Sequence, residues 1–207
     1  KYSKDEVFKG GLKVVTTLDV NMQEAAEVAA ANKEAEANNY VEGDPFEVSL
    51  VAIDPDNGYV KALVGGRDYY TSQVNLATGL GGSGRQAGSS FKTFTLVAAL
   101  EAGISPDTMI DCSTTVEFPG WKVSNIGHHD YGTRSLARAF AVSSNTGFAR
   151  LLMSLGPEKV VEVAHRMGIT SDLNAVGSLT LGSESVTPME MADAYATIAN
   201  GGTHYDP

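Results

Sequence analysis

Residues 84–102 read GRQAGSSFKTFTLVAALEA. From Ser89 to Ala102 the stretch predicts a helix, with Gly103 placed to stop it. Phe91, Phe94, Val97, Ala98 and Ala99 put apolar groups on nearly every face of that helix. Such a helix has no side to offer water, so it belongs at the centre of a fold and needs a sheet to pack against. Upstream, Gly65–Gly88 is Gly- and Ser-rich and aperiodic, a long loop of the kind that carries function. Before that loop, Glu47–Asp54 and Tyr59–Val64 read as strands joined by Pro55-Asp56-Asn57-Gly58. Asn-Gly between two apolar runs is a strong hairpin signal.

The rest of the chain is mostly helical. Val14–Leu18, rich in β-branched residues, reads as a strand. Asp19 then caps a helix over Val20–Asn38, with Gln23, Glu24 and Glu27 suited to an outer face and Met22, Ala26 and Val28–Ala30 to an inner one. Ile104–Asp130 reads as irregular. Helices are expected at Ser135–Val142, Thr146–Leu155 and Pro157–Met167. A last one opens on Thr187 as N-cap, with Pro188 behind it and Glu190 completing a capping box, and stops at Asn200-Gly201-Gly202. The fold class is therefore α+β, an antiparallel sheet flanked by helices in a sandwich-like arrangement. Two hairpin strands make no stable sheet alone, so part of the sheet is expected outside this chain.

Composition narrows the function. The 207 residues are 43% apolar and 19% charged, enough for a substantial core. A formal charge of −10 disfavours nucleic acid, whose phosphates need clustered Lys and Arg. The single cysteine, Cys112, excludes an internal disulfide and a Cys-rich metal site, and is read as a buried structural residue. No apolar run approaches the ~20 residues of a membrane span. No cofactor or metal is expected. His128-His129-Asp130 reads as loop surface, since adjacent residues seldom face one ion. Gly82-Ser83-Gly84-Arg85-Gln86-Ala87 fits the dinucleotide pattern Gly-x-Gly-x-x-Gly/Ala in letters only, because no βαβ unit surrounds it.

Chemistry centres on Ser89-Ser90-Phe91-Lys92. Residues three apart on a helix share a face, so the Ser89 hydroxyl and the Lys92 amine can meet. A serine becomes a good nucleophile when a neighbouring base takes its proton. A lysine can be that base if burial disfavours its ammonium, and Phe91, Phe94, Leu96 and Val97 are apolar enough to bury it. The helix start beside Ser89 offers free N–H groups for an oxyanion. Ser143-Ser144-Asn145, at the junction of two helices, adds a hydroxyl that can relay a proton and an amide that can hold the amine and a substrate carbonyl. Alone, Ser-x-x-Lys more often marks a solvated lysine and Ser-x-Asn a polar helix break. Their order and separation make the pair informative.

Together these motifs resemble the nucleophile segment and Ser-x-Asn element of penicillin-binding proteins. Further stretches resemble the bifunctional class A branch: GLKVVTTLDVNMQEAAE (residues 11–27), VAIDPDNGYVKALVGGRDY (51–69), EAGISPDTMID (101–111), SLARAFAVSSNTGFARLL (135–152) and TPMEMADAYATIANGG (187–202). The resemblance implies the serine transpeptidase/β-lactamase-like fold, with residues 1–45 leading into the domain and 46–207 forming its N-terminal part. It implies Ser89 as acylated nucleophile, Lys92 as general base, and Ser143 and Asn145 as catalytic and substrate-binding partners. The implied activity is peptidoglycan D,D-transpeptidation on acyl-D-Ala-D-Ala stem peptides, with β-lactams trapping Ser89. A D,D-carboxypeptidase or a non-catalytic penicillin- or peptidoglycan-sensing module on the same fold is the alternative. The implied location is the extracytoplasmic face of the bacterial cell membrane, reached through an N-terminal anchor outside this chain.

The sequence departs from that family at three points. No Lys-Thr-Gly strand is present, so the C-terminal remainder of the domain, continuous or as a second chain, is an expected partner. Thr93 stands where the family usually has Pro. Ser185 stands where it usually has Glu, with Glu184 one place earlier. A β-lactamase would need a carboxylate to activate its deacylating water, and the position three before Leu173-Asn174 is Thr170.

Overall fold

In a computed structural model that describes residues 2–40 and 45–207, the chain opens with helix α1 (Lys4–Lys9) and helix α2 (Val20–Asn38), followed by strands β1 (Leu50–Ile53) and β2 (Val60–Val64). Asp19 caps α2, its side chain accepting from the Met22 N–H at 3.0 Å. The hairpin forms as expected. Leu50 pairs with Val64 and Ile53 with Val60, in antiparallel register. Its turn is closed by Asp54, which accepts from the Asp56 N–H and the Asn57 side chain, while Gly58 takes the left-handed conformation (φ 76°). Among the described residues β1 and β2 pair with no third strand.

Downstream run β3 (Arg85–Gln86), a 3₁₀ turn (Gly88–Phe91), α3 (Lys92–Glu101), β4 (Met109–Asp111), β5 (Thr115–Phe118), β6 (Trp121–Ser124) and β7 (Thr133–Ser135). Then come α4 (Leu136–Ala141), α5 (Asn145–Leu155), α6 (Pro157–Arg166), a 3₁₀ turn (Gly177–Leu181), β8 (Ser185–Val186) and α7 (Pro188–Ala199). The remaining strands pair antiparallel, β3 with β8, β4 with β7 and β5 with β6. The capping box of α7 is complete: Glu190 reaches back to the Thr187 N–H at 2.7 Å, and the Thr187 hydroxyl accepts from the Glu190 N–H at 3.2 Å.

The core sits where α3, α5, α6 and the Gly177–Leu181 turn meet. Phe91, Phe94, Phe148, Leu152, Val160 and Leu179 have no exposed surface there. The central position expected for the helix after Ser89 is thus observed, and Cys112 is buried in the same core. Burial of the Phe and Leu side chains, at about 2–3 kcal/mol each, fixes α3 against α5 and so sets the distance between the two motifs they carry.

Four expectations are corrected. Val14–Leu18 is not a ladder strand; it runs beside β2, tied by the Thr17 hydroxyl to the Val60 carbonyl and by the Asp19 N–H to the Lys61 carbonyl. The inner face of α2 is Gln23, Ala26, Ala30 and Glu34, while Met22 and Val28 are exposed. Gln23 turns inward because its amide bonds both backbone groups of Leu63. Ile104–Asp130 is not irregular throughout: it holds β4 and the β5–β6 hairpin, turned at Pro119-Gly120 with Gly120 at φ 75°. Gly65–Gly88 is loop except for β3, which docks onto β8, a bridge between Asn75 and Leu80, and Gly88, which opens the 3₁₀ turn.

Candidate active site

Ser89 lies in the 3₁₀ turn rather than in the first turn of an α-helix, and Lys92 is the first residue of α3. A 3₁₀ turn eclipses residues three apart, which brings the two side chains together directly. Lys92 Nζ donates to Ser89 Oγ at 2.9 Å. The turn is backed by main chain. Gly88 N–H donates to the Gly182 carbonyl at 3.4 Å, and a Cβ on Gly182 (φ 70°) would sit 2.2 Å from the Gly88 oxygen. On another side the Tyr195 hydroxyl bonds the Ser90 carbonyl at 3.0 Å and the Thr93 hydroxyl at 2.7 Å. Thr93 thus has a partner that a proline there would lack.

Across the site, Ser143 links α4 to α5 in the left-handed conformation, φ 53°, rare for a residue with a side chain. That backbone state costs about 1–2 kcal/mol. It turns both the Ser143 carbonyl, at 3.0 Å, and its hydroxyl, at 2.9 Å, toward Lys92 Nζ. Asn145 opens α5, which Ser144 caps by accepting from the Gly147 N–H. Asn145 Oδ1 accepts from Lys92 Nζ at 2.8 Å, and its Nδ2 donates to the Ser124 carbonyl at 3.1 Å, which fixes the amide orientation. The other three side chains expected at the site, Ser89, Ser143 and Asn145, therefore converge on the Lys92 amine.

Lys92 is 1% exposed, and burial lowers its pKa from 10.5 to about 8. Four acceptors surround it, although an ammonium has three protons and a neutral amine two plus a lone pair. The neutral form can bond two of the oxygens and turn its lone pair to the Ser89 hydroxyl. Ser89 itself is exposed, open to a substrate from the solvent side. Site residues that motif reading missed are Asn125, Ser124 through its carbonyl, Tyr195 and Gly182. Each acts across more than fifteen residues of sequence, with no local periodicity or spacing to mark it.

The family described as "Penicillin binding protein transpeptidase domain" matches residues 48–207. Penicillin-binding protein 2D of Bacillus subtilis is 35% identical over 211 residues, covering 99% of this chain and 29% of that protein. Penicillin-binding protein 1A of Mycobacterium tuberculosis is 36% identical, covering 95% and 24% respectively. The solved structure of PonA1 from Mycobacterium tuberculosis superposes with a TM-score of 0.86 at 32% identity, over all of this chain and 54% of that one. The same protein in complex with penicillin V gives 0.85 at 33% identity, over all of this chain and 56% of that one. The chain belongs to the penicillin-binding protein transpeptidase domain family, with the α+β fold of its solved members. It spans less than a third of the length of the two relatives named.

Proposed function

We propose that this chain supplies the nucleophile, the base and the polar network of a peptidoglycan D,D-transpeptidase. The observation that carries the reading is the buried Lys92 amine, 2.9 Å from the exposed Ser89 hydroxyl and with a pKa of about 8. A base of that strength beside a hydroxyl is what acyl transfer near neutral pH requires.

In the proposed reaction, neutral Lys92 takes the Ser89 proton as Oγ attacks the penultimate D-Ala carbonyl of a stem peptide. Backbone N–H groups beside Ser89 supply hydrogen bonds to the oxyanion. The tetrahedral centre collapses by breaking the C–N bond. Lys92 returns its proton to the leaving nitrogen, directly or through the Ser143 hydroxyl, and free D-Ala departs from a Ser89 ester. An amine of a second stem peptide then attacks the ester and gives up a proton to Lys92, and the tetrahedral centre breaks its C–O bond as Lys92 returns that proton to Ser89 Oγ. A β-lactam acylates Ser89 in the same way, but its leaving nitrogen stays tethered, which holds the ester in place. Asn145 orients Lys92 and binds the substrate amide. The hairpin β1–β2, which pairs with no third strand among the described residues, supports a place beside it for a Lys-Thr-Gly strand. Such a substrate places the enzyme on the outer side of the bacterial cytoplasmic membrane. No helix among the described residues is long and apolar enough to cross a membrane.

The test uses the full-length protein and a fluorescent penicillin. Labelling is expected in wild type and Ser90→Ala and absent in Ser89→Ala; equal loss in both variants would refute the nucleophile assignment. Release of D-Ala with formation of a cross-linked product supports transpeptidation. Release without cross-links points to a carboxypeptidase, and labelling without turnover to a sensor.

A further inference from the structure

Ser143 and Asn145 sit on a turn with a left-handed residue, and the side chain behind that turn is Asn125, only 3% exposed. Its Oδ1 accepts from the Thr146 N–H and from the Ser144 hydroxyl, both at 3.2 Å. The Thr146 hydroxyl lies 3.2 Å from the same oxygen, but the Ser113 carbonyl, at 2.8 Å, is the better acceptor for its single proton. Asn125 Nδ2 faces three carbonyls, those of Cys112 at 3.0 Å, Ser113 at 3.2 Å and His129 at 3.0 Å. One residue earlier, the Ser124 carbonyl takes the Asn145 amide at 3.1 Å. Residues 124 and 125 therefore grip Asn145 by its own side chain and by both of its neighbours.

The residue type follows from this geometry. The position needs an acceptor on one side and donors on the other, which a primary amide alone supplies at that size. A carboxylate would set a charge against three carbonyls, and a leucine would leave the Thr146 N–H and those carbonyls buried without partners. Asn125 makes no bond to Ser89 or Lys92 and does not reach the reacting atoms.

We infer that Asn125 is a positioning residue for acyl transfer, holding Ser143 and Asn145 against Lys92 by clamping the α4–α5 turn from behind. This rests on the function proposed above. Without the clamp the left-handed turn has an easier conformation to relax into. The Ser143 carbonyl and Asn145 Oδ1 would then withdraw from the amine. A misplacement on the scale of an ångström costs up to about 100-fold in rate.

The test measures penicillin acylation of the full-length protein against concentration and pH, separating pre-covalent binding from the limiting acylation rate. Asn125→Asp keeps the shape and one acceptor and removes the donors. Its limiting rate is expected to fall by about tenfold or more, with binding changed less than about threefold. In Ser144→Ala, which loosens the same clamp without adding a charge, the pH midpoint is expected to move down, because the withdrawn oxygens favour the ammonium. Ile169→Val, a core change outside α3 and α5, lowers the melting temperature without touching the turn and is expected to leave rate and midpoint alone. A limiting rate within about twofold of wild type, or a loss shared equally by binding and rate with the midpoint unmoved, would overturn the inference. Should Asn125→Asp not fold, Ser144→Ala removes one donor to Oδ1 and decides by the same two readouts. Wild-type protein left unlabelled at Ser89 would sink the proposed function and this inference together. Intact Ser89 labelling with an indifferent Asn125→Asp would sink the inference alone.

Discussion

If Lys92 is the base that activates Ser89, acylation must follow the fraction of Lys92 present as free amine. With a pKa of about 8, set by burial, that fraction is about 1% at pH 6, about 10% at pH 7 and about half at pH 8. Acylation by a penicillin, whose own carboxylate does not titrate in this range, should therefore rise about fiftyfold between pH 6 and 8 and then bend over. Between pH 8 and 9.5 only about a further twofold remains. A lysine left at its ordinary 10.5 would behave differently over that last interval, rising about thirtyfold with no bend. Stopped-flow acylation of the full-length protein from pH 6 to 9.5 distinguishes the two curves. Lys92→Arg, which carries a cation that cannot give up its proton, should lose the rising limb together with nearly all the rate. A log-linear rise through pH 9.5, or a bend that survives in Lys92→Arg, would refute the assignment of Lys92 as the base.

Two further outcomes follow from the supports of the site. Gly182→Ala forces a side chain into a left-handed position and into the Gly88 backbone, so it should destabilise by more than about 2 kcal/mol or displace Ser89 and slow acylation. Unchanged melting and unchanged acylation would show that the two turns are not in contact. Burial raises the Glu190 pKa, but hydrogen bonds from Thr187, Thr170 and Ser171 outweigh it and bring the value down to about 2 from 4.5. A depressed carboxylate stabilises the fold fully above the unfolded value, so about 3 kcal/mol should be lost as pH falls from about 4.5 toward 2. Acid unfolding of Glu190→Gln should show that much less dependence on pH over the window, and an identical acid limb would remove Glu190 as its cause.

Local chemistry made much of this fold legible. The Asp54–Gly58 turn, the Asp19 cap and the Thr187–Glu190 box are each closed by neighbours in sequence, and each forms where the letters put it. The four site side chains were legible because two short motifs carry them, and the apolar faces of α3 and α5 bring those motifs together. What escaped depends on distant partners. Val14–Leu18 has strand-forming residues but only two tethers to β2. Gln23 looks like a surface residue until Leu63 offers it both a donor and an acceptor. Ser89 was expected to open an α-helix, yet the packing of Gly88 on Gly182 tightens that turn to 3₁₀. Asn125 is one polar letter in a stretch without periodicity, and its partners are scattered from Cys112 to Thr146.

The burial of Lys92 also bears on how this chain can change over generations. Lowering a lysine from 10.5 to about 8 means that the fold gives up about 3 kcal/mol at neutral pH relative to a lysine left in water. No carboxylate could relieve that deficit without restoring the ammonium, which under the proposed function would silence the base. An apolar residue of similar length, such as methionine, would fill the same buried space with no charge to desolvate. If acyl transfer is what selection maintains here, drift without it runs downhill toward a sturdier, inert protein. A sibling with this fold intact and an apolar residue opposite Ser143 would be a descendant that had kept the scaffold after abandoning the chemistry.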